Sequence, residues 1–183
     1  MWHKMATRER ADLSSDGAFD DLFTANKKFA ATFADGGLPA RAARGLAVIT
    51  CMDSRIDPFG TLGVGPGDAK ILRNAGARVT DDVLRTLVLA VYLLGVDRIL
   101  VMPHTNCRMA QSSEAELHAL IESRYGVNTH SLEFQTAPNQ EQALRSDLIR
   151  IHAYPLLPDR VAIGGAMLDV TTGELRPVPL DLD

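Results

Sequence analysis

The residues best suited to chemistry in this 183-residue chain are its two cysteines, Cys51 and Cys107, and the histidine three positions before the second, His104. A histidine and a cysteine three residues apart can face the same metal ion when the backbone turns sharply after a strand. A second sulfur from a neighbouring strand would complete three protein ligands, and catalytic zinc commonly keeps three ligands and an open position for water. The spacing therefore predicts a site for one Zn2+ ion.

Asp53 and Arg55 follow Cys51 at alternating positions, so that in an extended chain all three side chains reach the same side. An arginine beside an aspartate keeps the carboxylate ionised and oriented. Such a carboxylate can accept a hydrogen bond from water on the metal, or it can compete for the open metal position. Because two thiolates and one imidazole neutralise the charge of Zn2+, help from these neighbours in acidifying water is expected. Both arrangements of Asp53 stay open.

The same residue types have simpler interpretations when each is considered alone. Cysteine is often buried as a small apolar side chain, and an aspartate near an arginine is often no more than a structural ion pair. A dithiol redox pair is disfavoured because the chain contains no Cys-x-x-Cys. His118, His130 and His152 are candidates for carrying protons to solvent because histidine titrates near neutral pH, but none is assigned that role.

Short apolar runs rich in branched residues alternate with helical patterns along the chain. Strands are predicted at residues 46–51, around 71–72, at 98–102, at 160–168 and, at an edge of the sheet, at 174–178. Helices are predicted at residues 16–34, 81–94, 112–125 and 139–151, with a loop at 126–138. This alternation predicts an α/β fold with a mostly parallel sheet of four or five strands, flanked by helices and preceded by an extra N-terminal helix. Parallel sheets gather functional groups at the carboxyl ends of their strands, where both cysteines fall.

A formal net charge of −4 argues against a general binder of nucleic acid or anionic membranes, since those partners select basic surfaces. A small-molecule substrate fits better. The length suits one domain over residues 1–183, with an N-terminal arm at 1–17 and a core at 18–178. The first residues lack the apolar run of a secretory signal peptide, so a cytoplasmic location is expected. Phenylalanines in the first predicted helix need a covering surface, which predicts at least a homodimer.

The two motifs taken together resemble the signature of the β-carbonic anhydrase family, Cys51-x-Asp53-x-Arg55 followed by His104-x-x-Cys107. The likeness continues through the stretch from Arg73 to Gly76 and extends over most of the chain. The resemblance implies a zinc lyase, a carbonate dehydratase that reversibly hydrates carbon dioxide to bicarbonate and a proton. It implies zinc on the two cysteines and the histidine, with Asp53 and Arg55 as the catalytic dyad. It also implies dimers, or dimers of dimers, whose sites lie near the subunit interface and whose N-terminal helix lies across the partner.

The resemblance leaves two other functions open. Some similar proteins hydrolyse carbonyl sulfide or carbon disulfide, which are linear and apolar like carbon dioxide, so the same hydroxide could attack them. A non-catalytic zinc-binding relative is the second alternative, because the family usually has glycine after the second cysteine ligand and this chain has Arg108. If that position requires a positive φ or close packing, Arg108 strains the site or reshapes its mouth.

Overall fold

The structure, a computed structural model, describes residues 17–180 of the chain. The chain divides into two compact units, with the boundary between Leu38 and Pro39. The first unit contains helix α1 (Asp20–Ala30), and the second contains the sheet and every predicted site residue. None of the helices in the described range is long and apolar enough to cross a membrane.

Helix α1 is shorter than the helix predicted at residues 16–34. The capping candidates at residues 14–16 lie outside the described part of the chain, and the helix begins after Phe19 without a side-chain cap. At its other end the backbone tightens into a turn, because Thr32 donates from both N and Oγ1 to the carbonyl of Phe29, at 3.1 and 3.3 Å. A helix was therefore predicted correctly in this region, but the predicted helix is too long at both ends.

One five-stranded sheet forms the centre of the second unit. Its strands are β1 (Leu46–Cys51), β2 (Ala69–Asn74), β3 (Arg98–Met102), β4 (Ala162–Leu168) and β5 (Leu175–Val178). Their order is β2-β1-β3-β4-β5, and every neighbouring pair is parallel except β4 with β5. Those two strands are antiparallel because a short turn through Gly173 joins them, whereas a parallel pair needs a crossover connection. The predicted α/β class is confirmed.

Four helices follow the sheet strands in the second unit: α2 (Pro58–Leu62), α3 (Asp81–Leu93), α4 (Glu114–Tyr125) and α5 (Gln140–His152). The side chains of Thr80, Ser113 and Asn139 cap the last three by accepting from backbone N–H groups, which is why their starts are predictable. Helix α2 was not predicted, although it has a local signal. Asp57 caps it and Pro58 occupies its first position, a pairing that favours a helix start.

The two faces of the sheet belong to different apolar clusters. On one face, strand residues such as Ile49 and Val101 pack with α3 and α5. On the other face, Met102 packs in a smaller cluster that includes both cysteines, Cys51 and Cys107. The cysteines therefore lie within this second cluster, and both are buried.

Candidate metal centre

Neighbouring parallel strands bring the candidate ligands together. Cys51 is the last residue of β1, and Met102, the last residue of β3, is in register with Thr50. The segment that follows β3 therefore leaves the sheet beside Cys51. That segment carries the other two candidates, His104 and Cys107.

A turn between these two residues makes both side chains available at one point. Asn106 has a φ of 54°, in the left-handed region that asparagine tolerates better than most other residues. Thr105 donates from its backbone N to the carbonyl of Leu168 at 2.9 Å, which anchors the turn to the end of β4. The anchor and the left-handed residue together bring His104 and Cys107 to the same side of the turn.

The ligand atoms of Cys51, His104 and Cys107 all lie within 4.8 Å of one another, and all three residues are buried. The two Sγ atoms are 3.9 Å apart. The structure thus gathers all three residues that the sequence predicted as ligands into one group that could hold a metal ion.

The histidine is oriented for use as a ligand. Its Nδ1 lies 2.8 Å from the carbonyl oxygen of Thr105, so that Nδ1–H donates and Nε2 keeps a free lone pair. Nε2 of His104 is buried and has no hydrogen-bond partner within the described residues. An unsatisfied buried polar atom costs about 1–3 kcal/mol. A metal ion among the three ligand atoms would satisfy it, which is the physical reason to consider this group a metal site.

The two thiols affect each other's pKa in opposite directions, because their Sγ atoms are in contact. The pKa of Cys51 is lowered, chiefly because the Cys107 thiol donates a hydrogen bond to it. The pKa of Cys107 is raised, chiefly because it is the donor to that thiolate, and burial acts in the same direction. The backbone N–H of Gly76 also donates to Cys51 Sγ, at 3.4 Å, and stabilises the anion. Such a pair is prepared for a soft divalent cation.

Asp53 and Arg55 form a two-pronged ion pair beside this group. Nε of Arg55 donates to Oδ1 at 2.9 Å and Nη2 donates to Oδ2 at 2.7 Å, while the backbone N–H of Arg55 donates to Oδ1 at 3.0 Å. The hydrogen bonds from the Arg55 side chain hold the pKa of Asp53 well below its usual range. Oδ2 of Asp53 lies 3.8 Å from Nε2 of His104, so the pair borders the candidate metal position.

Arg108 does not strain the site. It begins a short 3₁₀ turn (Arg108–Ala110), and the positive φ in this segment belongs to Asn106 instead. Its guanidinium is exposed and donates to the side chains of Gln111 and Ser112, at 3.3 and 3.2 Å. The condition on which backbone strain was considered is not met, because Arg108 does not adopt a positive φ.

Three residues support the site and were not assigned a role from the sequence. Gln140 donates from Nε2 to the carbonyl of His104 at 2.6 Å. Gly76, which supports Cys51, has a φ of 80°, and a Cβ there would lie 3.3 Å from the Met109 side chain. Arg73 donates to the carbonyl groups of residues 51 and 53. Only the stretch from Arg73 to Gly76 had a signal in the sequence, through its resemblance to a family motif.

The other histidines lie outside this group. Nδ1 of His118 is 2.8 Å from Oγ1 of Thr129, and its ring centroid is 4.7 Å from that of His130. His152 is exposed at the end of α5. No role in proton transfer was assigned to them, and these contacts do not support one.

Fold and site together define an α/β protein with a candidate metal centre of two thiolates and one imidazole, bordered by a carboxylate–guanidinium pair. A family model described as carbonic anhydrase matches residues 46–175. β-Carbonic anhydrase 1 of Mycobacterium tuberculosis (strain ATCC 25618 / H37Rv) is 34% identical over 160 residues, which cover 87% of this chain and 96% of that protein. The chain belongs to the β-carbonic anhydrase family.

Two further similarities indicate the range of the family. The crystal structure of a carbonic anhydrase from Streptococcus mutans has a TM-score of 0.83 and 37% sequence identity, covering 88% of this chain and 97% of that chain. The carbon disulfide hydrolase of Acidianus sp. (strain A1-3) is 31% identical over 159 residues, covering 73% of this chain and 76% of that protein. The expectation of an enzyme of the β-carbonic anhydrase family is confirmed, and its relatives are named for two different substrates.

Proposed function

We propose that the chain is a zinc-dependent carbonic anhydrase that reversibly hydrates carbon dioxide to bicarbonate and a proton, with one Zn2+ per chain on Cys51, His104 and Cys107. The observation that supports this most is the place of the Asp53–Arg55 pair, with Oδ2 of Asp53 only 3.8 Å from Nε2 of His104. A metal with a purely structural role has no need of an oriented, partly exposed carboxylate at its border.

The donor set fits zinc. Thiolate and imidazole are ligands that zinc prefers, and three protein ligands leave one position for a small molecule. When bound in such a site, zinc acidifies water, which supplies hydroxide near neutral pH for attack on the carbon of carbon dioxide. In this chain, the unpaired Nε2 of His104 and the stabilised Cys51 thiolate are the atoms prepared for the ion.

Asp53 serves as a hydrogen-bond acceptor that orients the attacking O–H group. Because Arg55 lowers the pKa of Asp53, the carboxylate stays ionised throughout the neutral range. A carboxylate so weakly basic does not retain a proton at neutral pH. The proton released by hydration therefore passes to solvent or buffer rather than staying on Asp53.

Arg55 holds this carboxylate and connects it to the metal-binding turn. Besides its bonds to Asp53, Nη2 of Arg55 donates to the carbonyl oxygen of Asn106 at 3.1 Å. Asn106 lies between His104 and Cys107, so Arg55 links the segment after β1 to the segment after β3. The carboxylate is thus fixed relative to ligands from both strands.

Hydrolysis of carbon disulfide is the second candidate, favoured by the 31% identity to a carbon disulfide hydrolase. Carbon disulfide is linear and apolar like carbon dioxide, and hydroxide can attack its carbon in the same way. The residues described above would have the same roles, so the substrate preference depends on access to the site rather than on its donor set.

We also propose that the chain acts as a homodimer or a dimer of dimers. All described residues of α1 are exposed, among them Phe23 at 64% and Phe29 at 61%. Exposed phenylalanines on one short helix are unfavourable in water, and a second copy of the chain is the partner that is always present.

The test is stopped-flow hydration of carbon dioxide by the zinc-loaded protein, with release of hydrogen sulfide from carbon disulfide measured in parallel. We expect hydration well above the buffer rate, and its loss in the double variant Cys51→Ser with Cys107→Ser. Release of sulfide without hydration of carbon dioxide would favour the second candidate function, hydrolysis of carbon disulfide. If the loaded protein matched the double variant on both substrates, the proposed function would be wrong.

A further inference from the structure

Arg73 is an exposed residue of β2 that neither the ligand group nor the Asp53–Arg55 pair includes. We propose that Arg73 is a positioning residue, which fixes the spacing between the first metal ligand and the dyad carboxylate by joining the backbone carbonyl groups of Cys51 and Asp53. The expected effect of Arg73 on catalysis rests on the proposed function. Its positioning of the backbone does not.

The guanidinium forms a bridge between two carbonyl groups that lie two residues apart. Nε of Arg73 donates to the carbonyl of Cys51 at 2.9 Å, and Nη2 donates to the carbonyl of Asp53 at 2.6 Å. The planar guanidinium presents its donors in a rigid fork, so two simultaneous bonds set the distance between the two acceptors. An ammonium group has rotatable donors on a flexible stem, so it does not set that distance in the same way.

The bridge is needed because this segment has left the regular sheet. The pairing of β1 with β2 ends where Cys51 faces Asn74, and beyond it the backbone N–H of Met52 donates to the carbonyl of Asn74 at 2.9 Å. After that bond, the hydrogen bond from β2 to Asp53 within the described residues is the one from Arg73. Arg73 thus links β2 to Asp53, two residues beyond the end of β1.

The two arginines near Asp53 hold different parts of it. Arg55 binds the carboxylate, but it is attached to the same segment and its side chain is 49% exposed. Arg73 comes from the neighbouring strand and binds the backbone carbonyl, which also accepts from the N–H of Ile56 at 3.1 Å. Arg55 therefore sets the direction of the carboxylate, whereas Arg73 sets the place of the residue that bears it.

An ordinary surface role explains these contacts less well. Within residues 17–180, no ion pair of Arg73 with a carboxylate is formed, and its side-chain hydrogen bonds go to the two backbone carbonyls. Arg98 offers a comparison, since it is also an exposed strand arginine and donates from Nε to one carbonyl, that of Arg44, at 3.1 Å. Arg98 begins β3, at the opposite end of the strand from the candidate metal centre, and within the described residues it does not bridge two carbonyl groups.

The experiment compares Arg73→Met and Arg73→Lys with the matched control Arg98→Met. Each protein is loaded with Zn2+ for carbon dioxide hydration and with Co2+ for visible absorption, because the cobalt bands report the coordination of the metal without requiring turnover. For Arg73→Met we expect a metal content near that of the parent, altered cobalt bands, and a kcat lowered about tenfold to hundredfold with little change in KM, as expected for a misplaced catalytic group. Arg98→Met should match the parent in every measurement.

The lysine variant distinguishes a bridging role of Arg73 from an effect of its positive charge alone. Arg73→Lys keeps the positive charge but not the fork, so its kcat and cobalt bands should resemble those of Arg73→Met. Recovery of parental values by Arg73→Lys would overturn the bridging role, as would parental cobalt bands and kcat in Arg73→Met. Loss of metal and of thermal stability in both variants would show that Arg73 supports the fold instead. If the parent itself does not hydrate carbon dioxide, the proposed function fails, while the cobalt bands still decide the role of Arg73.

Discussion

Oδ2 of Asp53 lies 3.8 Å from Nε2 of His104 and accepts a hydrogen bond from Nη2 of Arg55 at 2.7 Å. One carboxylate oxygen thus binds the guanidinium of Arg55 and also lies beside the candidate metal position. With a metal bound at this position, a carboxylate held by Arg55 would leave the open coordination position to other molecules. If the pair breaks, the carboxylate is free to approach the metal and close that position.

This geometry predicts that Arg55→Ala lowers carbon dioxide hydration about tenfold to hundredfold, because the acceptor loses its orientation. The loss should be present at every pH between about 6.5 and 9, a range around the ~7 at which zinc-acidified water ionises. Zinc content should stay near normal, since Arg55 is not a ligand. Stopped-flow assays with elemental analysis test this, and Arg108→Ala, an exposed arginine beside Cys107, is the control.

Asp53→Ala should likewise retain zinc and lose hydration, because it removes the acceptor while leaving the three ligands in place. If Arg55→Ala and Asp53→Ala both hydrated carbon dioxide as fast as the parent across that pH range, the two residues would be a structural ion pair and no more.

The second prediction concerns the metal ligands. Cys107→Ser should lose most of the zinc, because a hydroxyl group replaces a soft anionic ligand. The measurement is elemental analysis of the purified protein. Met52→Ala, which changes an exposed side chain next to Cys51, should keep one zinc per chain. Stoichiometric zinc in a protein carrying both Cys51→Ser and Cys107→Ser would place the metal elsewhere.

Metal binding should release close to one proton from the thiol pair. In the metal-free protein the pKa of Cys51 is lowered and the pKa of Cys107 is raised, so at neutral pH only Cys107 carries a proton that a metal must displace. Zinc affinity should therefore rise with pH, by about tenfold per pH unit between roughly pH 6 and 7, below the range in which zinc-bound water ionises and adds a proton of its own. Calorimetry in that pH range, in buffers of different ionisation enthalpy, counts the protons. Release of two there would show that the pKa of Cys51 is not lowered.

The fourth prediction tests a buried ion pair that supports the chain after β2. Nε of Arg78 donates to Oδ2 of Asp147 at 2.7 Å, with side-chain exposures of 18% and 6%. Asp147→Ala leaves the guanidinium without its partner and should lower the free energy of unfolding by about 3–5 kcal/mol. Asp82→Ala breaks the exposed pair with Arg85 and should cost less than about 1 kcal/mol. Urea titrations compare the two, and equal losses would contradict the argument.

The fifth prediction concerns assembly. Phe23→Ser should weaken the homodimer by about tenfold or more, because burial of a phenylalanine is worth ~1.5–3 kcal/mol and each 1.4 kcal/mol is about tenfold in affinity. Lys27→Ser changes an exposed residue of the same helix and should have little effect. Light scattering over a dilution series measures both. A parent protein that is monomeric at micromolar concentration would exclude the proposed dimer.

The sequence by itself determined the types of the site residues and the elements that carry them. Alternating apolar strands and capped helices predict a parallel sheet, and in such a sheet residues that follow neighbouring strands meet at one edge. That is why Cys51 and the segment from His104 to Cys107 could be assigned to one site before any coordinates. Asp53 and Arg55 were assigned to the same site on the premise that the chain stays extended after Cys51. That premise is wrong in detail, because the chain turns here and the backbone N–H groups of Arg55 and Ile56 both donate to Asp53.

Only the tertiary structure decided which strands are neighbours and what reaches the site from outside its motifs. The strand order places β2 beside β1, and this allows Arg73 to reach two carbonyl groups about twenty residues earlier in the chain. The left-handed φ of Asn106 likewise shows that the turn needs no glycine at Arg108. Such contacts depend on strand register and on backbone angles, and a short stretch of sequence is compatible with several of each. They become defined only when distant segments pack against each other.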